Sequence, residues 1–153
     1  MVKIEEAIQQ ARFSNESSKA GINLLYTASW LSTAMVRVLR PHGISWQQFN
    51  IMRILRGQKG KPASLKLISE RMIDKMSNTS RLVDKLVDKE LVQRETCPND
   101  RRQVDIVMTP SGSALLERAS ASMDAFVSST FGHLNEDELK ALNLLLDKLR
   151  TID

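Results

Sequence analysis

Between Ser64 and Leu116 the chain runs through an order of elements that very few folds accept. Leu65, Ile68 and Met72 step as the inner face of a short helix. The polar stretch Ser77-Asn78-Thr79-Ser80 opens a second helix over about 77–89. At 100° per residue its Thr79, Leu82, Val83, Leu86 and Val87 share one face, and Asn78, Arg81 and Lys85 share another. Leu91–Glu95 and Gln103–Met108 read as two strands around the turn chemistry of Pro98-Asn99-Asp100. In the second of them Val104, Ile106 and Met108 alternate with Gln103, Asp105 and Val107. Thr109-Pro110-Ser111-Gly112 then starts a long helix, with Thr as cap and Pro in the first position. A polar helix start, a basic face and an arginine-tipped hairpin are the parts of a winged helix-turn-helix. That architecture lays one helix in the major groove of DNA and a flexible tip against the backbone or the minor groove.

The flanks are helical. Ile4 to Leu39 reads mostly as helix, with Ile22, Leu25, Tyr26, Trp30 and Val36 among the members stepping at three and four, and Gly21 as a weak point. Pro41 ends it. Ser45 with Gln48 three residues on forms a capping box for a helix carrying Phe49, Met52, Ile54 and Leu55, which Gly57 terminates. Lys59-Gly60-Lys61-Pro62 is a loop, and Ala63-Ser64 has the makings of a minimal strand. The long helix after Thr109 runs through Leu115, Leu116, Ala119, Met123, Phe126 and Val127 to a break near Gly132-His133. Asn135 caps a last helix with the stripe Leu139, Leu142, Leu145, Leu146 and Leu149. The expected fold is mainly α with a small β-hairpin wing, of the α+β kind. Its parts are a helical region over 1–40, a winged helix-turn-helix over 45–108 and helices over 109–153.

Composition narrows the function. The 153 residues amount to about one domain. Aromatics at 5% disfavour a stacking platform for single strands. No apolar run approaches the roughly 18 residues of a membrane span, and the acids of Met1–Glu6 argue against a secretory signal. One cysteine, Cys97, forms no internal disulfide, which fits a reducing cytoplasm. The net charge of +4 hides an asymmetry: residues 17–69 hold eight basic residues and no acid, while 103–153 sum to −4. A basic middle suits a polyanion. No catalytic pattern appears. His42 and His133 stand far apart with no partner at ligand spacing, so neither an enzyme nor a metal or cofactor site is expected.

Leu82-Val83-Asp84-Lys85-Leu86-Val87-Asp88-Lys89-Glu90-Leu91-Val92, then Asp100-Arg101-Arg102, then Met108-Thr109-Pro110-Ser111-Gly112, resembles the MarR family, the multiple-antibiotic-resistance regulators. The resemblance covers nearly the whole chain. It implies a homodimer whose terminal helices, 1–40 and 109–153, interlock and whose winged helices straddle a palindromic operator in duplex DNA. It also implies a repressor released by a small, often aromatic ligand. The residues agree on one point independently. The apolar stripes at both ends exceed what a small winged helix needs for its own core, and a two-fold dimer would pair them.

Candidate site residues follow. Ser77, Asn78, Thr79, Arg81 and Lys85 belong to the reading helix. Asn suits adenine edges, Arg suits guanine, and Ser77 serves either as plain cap or as phosphate ligand. Thr79 lies on the core-facing arc, and Lys85 suits a phosphate. In the wing, Arg101 or Arg102 enters the minor groove, the second holding the family's Asp-x-Arg position, while Asp100 holds a wing arginine by a charge-assisted bond. Cys97, near Arg94 and Arg101, is either an incidental thiol or one of lowered pKa. Tyr26, Trp30, Trp46 and Phe49 gather where the first two helices meet, as simple core or, by the resemblance, as an effector pocket. The competing readings are a winged-helix module that binds protein, and a DNA binder, activating or architectural, with no effector.

Overall fold

A computed structural model describes residues 2–96 and 104–151. In chain order the elements are α1 (Ile4–Ala7), α2 (Glu16–Leu39), a 3-10 turn at Arg40–His42, α3 (Trp46–Gly57), β1 (Ala63–Ser64), α4 (Leu65–Arg71), α5 (Thr79–Asp88), β2 (Val92–Thr96), β3 (Val104–Met108), α6 (Pro110–Phe131) and α7 (Glu136–Leu149). The mainly helical winged helix-turn-helix expected from the sequence is the one observed.

Local chemistry sets most boundaries. Ser45 and Gln48 make the reciprocal capping box of α3, with both hydrogen bonds present at 3.2 and 3.0 Å. Ser64 caps α4, Thr109 caps α6 with Pro110 behind it, and Asn135 with Glu138 boxes α7. One expectation fails: Ile4 to Leu39 is not continuous. Helix α1 stops at Ala7, Gln9 takes a left-handed φ of 55°, and a new helix begins where the Asn15 side chain accepts from the Ser18 amide at 2.8 Å. Asparagine as a cap competes with the helix interior for the backbone amides, and here the cap wins. The short α1 folds back through a 2.6 Å ion pair between Glu5 and Lys19, which lowers the Glu5 pKa and raises that of Lys19.

The sheet is antiparallel with β3 in the centre, flanked by β1 and β2. Ala63 pairs with Ile106 and Val92 with Met108. A central position explains a departure from the expected alternation: Asp105 and its neighbour Ile106 are both buried. The core lies between α3, α4, α5 and this sheet, closed by Leu39 from α2 and by Leu116, Ala119 and Met123 from α6. Phe49, Ile51, Met52, Ile68, Leu86 and Ile106 are fully enclosed. The winged helix therefore has a complete core of its own, held on the scaffold of α2 and α6.

Candidate nucleic-acid interface

Helix α5 is amphipathic along its whole length. Thr79, Val83 and Leu86 are buried and Leu82 and Val87 pack on the same core. Ser80, Arg81, Asp84, Lys85 and Asp88 are exposed. The cap is Asn78, whose Oδ1 accepts from the Arg81 amide at 3.1 Å. Ser77, expected as either cap or phosphate ligand, is not the cap: it donates its hydroxyl to Asp74, and the cap falls to Asn78, expected only as a base reader. The Asn78 carbonyl oxygen is thus committed to the helix start, leaving its amide nitrogen for other work. Thr79 stands off the outer face altogether, only 7% exposed, and its Oγ1 is buried with no hydrogen-bond partner among the described residues.

The turn before α5 is built from side chains of the preceding helices. Asn50, buried in α3, accepts from the Ile73 amide at 2.9 Å. Asp74 accepts from the Ser77 hydroxyl, from the Met76 amide at 3.1 Å, and from Gln47. Those bonds hold the Asp74 carboxyl below its ordinary pKa, the Ser77 hydroxyl most of all. Gln47, Asp74, Ser77, Asn78, Arg81 and Lys85 line one shallow groove at the start of the helix. Gln47 joins this face although sequence reasoning did not find it. Its only signal was its place in the first turn of a capped helix, and the contact with Asp74 spans two intervening elements.

The wing is fastened to the same helix. Arg94 on β2 forms an ion pair with Asp84 on α5, a link between exposed faces that sequence spacing did not reveal. Cys97, Asp100, Arg101 and Arg102 lie outside the described residues. At the other end of the helix, Glu90 takes a left-handed φ of 56° and the chain turns into β2. Thr109 and Ser111 donate their hydroxyls to the Glu90 carbonyl at 2.7 and 2.8 Å, and the Thr109 amide reaches the Leu91 carbonyl at 3.2 Å. A Cβ on Gly112 would fall on that Leu91 oxygen. The Thr-x-x-Gly spacing is therefore a clasp: the first turn of α6 grips the end of α5, and only glycine allows the approach.

A helix with an exposed Asn78–Arg81–Lys85 face, a sheet-based wing and a flanking long helix define a winged reading head, and the sequence pattern of the MarR family matches residues 44–104, from just before α3 to the start of β3. Over that stretch the chain is similar to the MarR family. Winged-helix DNA binding and transcription regulation are that family's business. Over 113 residues, 74% of each chain, this one is 26% identical to the HTH-type transcriptional regulator MgrA of Staphylococcus aureus. Its structure is similar to that of BpsR of Bordetella bronchiseptica, with a TM-score of 0.73, 28% identity, and coverage of 86% of this chain and 93% of that one. That structure concerns the regulation of BpsR's DNA binding by 6-hydroxynicotinic acid. The fold also matches MepR of S. aureus, solved as a complex with DNA, at a TM-score of 0.74, 19% identity, and coverage of 84% and 92%.

The four aromatics do not converge on one pocket. Phe49 is enclosed in the core, with Trp46 tilted against it at 5.9 Å and the Arg53 guanidinium 5.9 Å from its ring. Tyr26 and Trp30 lie on the exposed side of α2, where Trp30 is 51% exposed. They line open grooves, one with Ser29, Thr33, Ala34 and Arg37, the other with Val2, Ala7 and Thr27. Trp46 and Phe49 belong to neither groove. Among the described residues no group of three or more His, Cys, Asp or Glu is placed to hold a metal ion, and no helix is long and apolar enough to cross a membrane.

Proposed function

We propose that this chain acts in the cytoplasm as a homodimeric, sequence-specific regulator of transcription that occupies a palindromic operator and represses by blocking polymerase. The observation that carries the reading is the division of α5: one face is sunk in the core, and the other presents Asn78, Arg81 and Lys85 beside a wing anchored through Arg94 and Asp84. Such a helix is held firmly by its core face and offers Arg81 and Lys85 on its free side, the arrangement a major groove can receive. The dimer is supported by α7, which buries none of its residues within one chain. Two copies related by a two-fold axis would place two heads about one helical turn apart. Release by a small aromatic ligand is supported by the regulation of BpsR's DNA binding by 6-hydroxynicotinic acid and by the open Tyr26–Trp30 grooves. Ligand would favour a dimer geometry whose heads no longer match the half-sites.

The deciding experiment is selection of bound duplexes from a random pool, followed by titrations on the recovered site. The expected product is a palindrome. Arg81→Ala then costs about 1–3 kcal/mol and relaxes preference at one position of each half-site. Lys85→Ala weakens all sequences alike and flattens the salt dependence. Replacing Arg101 and Arg102 together flattens the slope of log K against log salt by up to roughly 3.6 units, for four contacts in a dimer at about −0.9 each. Recovery of no preferred duplex, or parent-like binding by all three variants, sinks the reading and favours a module that binds protein.

A further inference from the structure

The turn that feeds the reading helix carries an apolar side chain with nothing to cover it. Met76 is 94% exposed, the highest of the large hydrophobic residues among those described, and it sits two positions before the Asn78 cap. Its backbone is not loose. The Met76 amide is held by Asp74, the Ile73 amide by the buried Asn50, and Asp74 is itself held by Ser77 and Gln47. The neighbouring cation is turned elsewhere, with Lys75 Nζ donating to the Glu70 carbonyl at 2.5 Å. An unbranched thioether is thus presented on a stiff mount, next in the chain to Ser77, which lines the groove together with Gln47, Asn78, Arg81 and Lys85. An exposed methionine in a polar, cationic face gives up water only against an apolar group. In the major groove, among base edges that otherwise offer hydrogen-bond donors and acceptors, the apolar group is the 5-methyl of thymine. The start of a reading helix is also the part that meets base edges first.

We propose that Met76 is a specificity residue that recognises thymine by packing on its 5-methyl group, one contact per half-site. The proposal rests on the DNA-binding reading above. It adds an exposed apolar contact to a groove whose polar lining is two amides, a hydroxyl, a carboxylate and two cations. It also predicts a preference for thymine next to the position read by Arg81, independent of salt.

The test uses the full-length protein and the selected duplex, with thymines replaced pairwise by uracil, which removes the methyl and leaves every hydrogen-bonding edge intact. For the parent, one symmetric pair is methyl-sensitive, with affinity falling roughly fourfold per methyl and about fifteenfold for two half-sites, from about 0.8 kcal/mol per buried CH₂-sized group. In Met76→Ala that same pair becomes indifferent to the methyl, and binding to the thymine duplex drops to the level of the parent on uracil. Met76→Leu restores the sensitivity. The side chain is exposed, so the variants melt like the parent. An identical uracil profile in parent and Met76→Ala overturns the proposal while the palindrome still stands. So does a selected site with no methyl-sensitive thymine. Failure to select any duplex removes the DNA reading itself.

Discussion

The reading head and the arms that carry it are built on opposite principles. In the head, α3, α4, α5 and the sheet enclose Phe49, Met52, Ile68, Leu86 and Ile106 completely, and its charges, the buried Asp105 apart, face out. In the arms, α7 buries nothing, with Leu144 and Leu145 69% and 63% exposed, and α2 shows Leu25, Tyr26, Trp30 and Val36 to solvent. The head is a domain in the ordinary sense. The arms resemble half of one. A stripe of leucine on a helix is ambiguous by itself, because the same periodicity serves an internal core and a surface for a second copy. Only the tally of what each stripe touches separates the two.

That contrast breaks first, and most widely, at α7. Leu145→Glu with Leu149→Glu sets charge in the proposed dimer seam, where burying it costs several kcal/mol. The dimer dissociation constant rises by more than about a hundredfold, while the cooperative melt of the head survives. Sedimentation and thermal melts measured together check this, and loss of the folded head along with the dimer would mean that the two regions are one unit. Leu86→Ala attacks the other side. Enclosed between α3 and α5, it costs about 2–5 kcal/mol of stability by chemical denaturation. A smaller loss would show the head to be less tightly packed than its burial indicates.

Thr79→Val sharpens the contrast with an effect of opposite sign. The Oγ1 of Thr79 is buried without a hydrogen-bond partner among the described residues, and such a group costs about 1–3 kcal/mol. The nearly isosteric valine raises the denaturation midpoint and leaves operator affinity unchanged, because this face of α5 looks inward. A fall in affinity would bring Thr79 back to the DNA side. Arg94→Ala gives the smallest change. A half-exposed ion pair contributes no more than about 1 kcal/mol, so stability hardly moves. Affinity for the palindrome drops more than stability does, since the wing loses its tie to the reading helix. Equal and small changes in both would make that pair ordinary surface charge.

Local chemistry was legible in the sequence and long-range geometry was not. The caps at Ser45, Thr109 and Asn135 could be read because each capping side chain and the amide that donates to it sit three residues apart. The inner face of α5 followed from its period alone. Where two capping residues adjoin, as at Ser77 and Asn78, pattern could not choose. The choice falls to Asp74, which takes the serine hydroxyl. The break at Gln9 was hidden for a related reason: no glycine or proline marks it, and a glutamine accepts a left-handed φ there. Gln47, the Arg94–Asp84 pair and the parting of Tyr26 and Trp30 from Trp46 and Phe49 all depend on how elements pack. No spacing in one segment encodes that. Asp105 looked outward by alternation and is buried because β3 became the middle strand.

The clasp between Thr109, Ser111, Gly112 and the Glu90–Leu91 carbonyls has a mechanical consequence. It has no slack: two hydroxyls, one amide and a missing Cβ fix the end of α5 to the first turn of α6. The 22 residues of α6 make a rod about 33 Å long with the reading helix pinned at its tip. Tilting such a rod by about 5° at its far end carries the tip sideways by about 3 Å, close to the rise of one base pair. The protein thus has a gear ratio. A ligand of the proposed kind that moved the far end of α6 by a few degrees would carry the head with it as one body, because Leu116, Ala119 and Met123 lock α6 into the head's core, and a small angle at one end would become a change of register at the other.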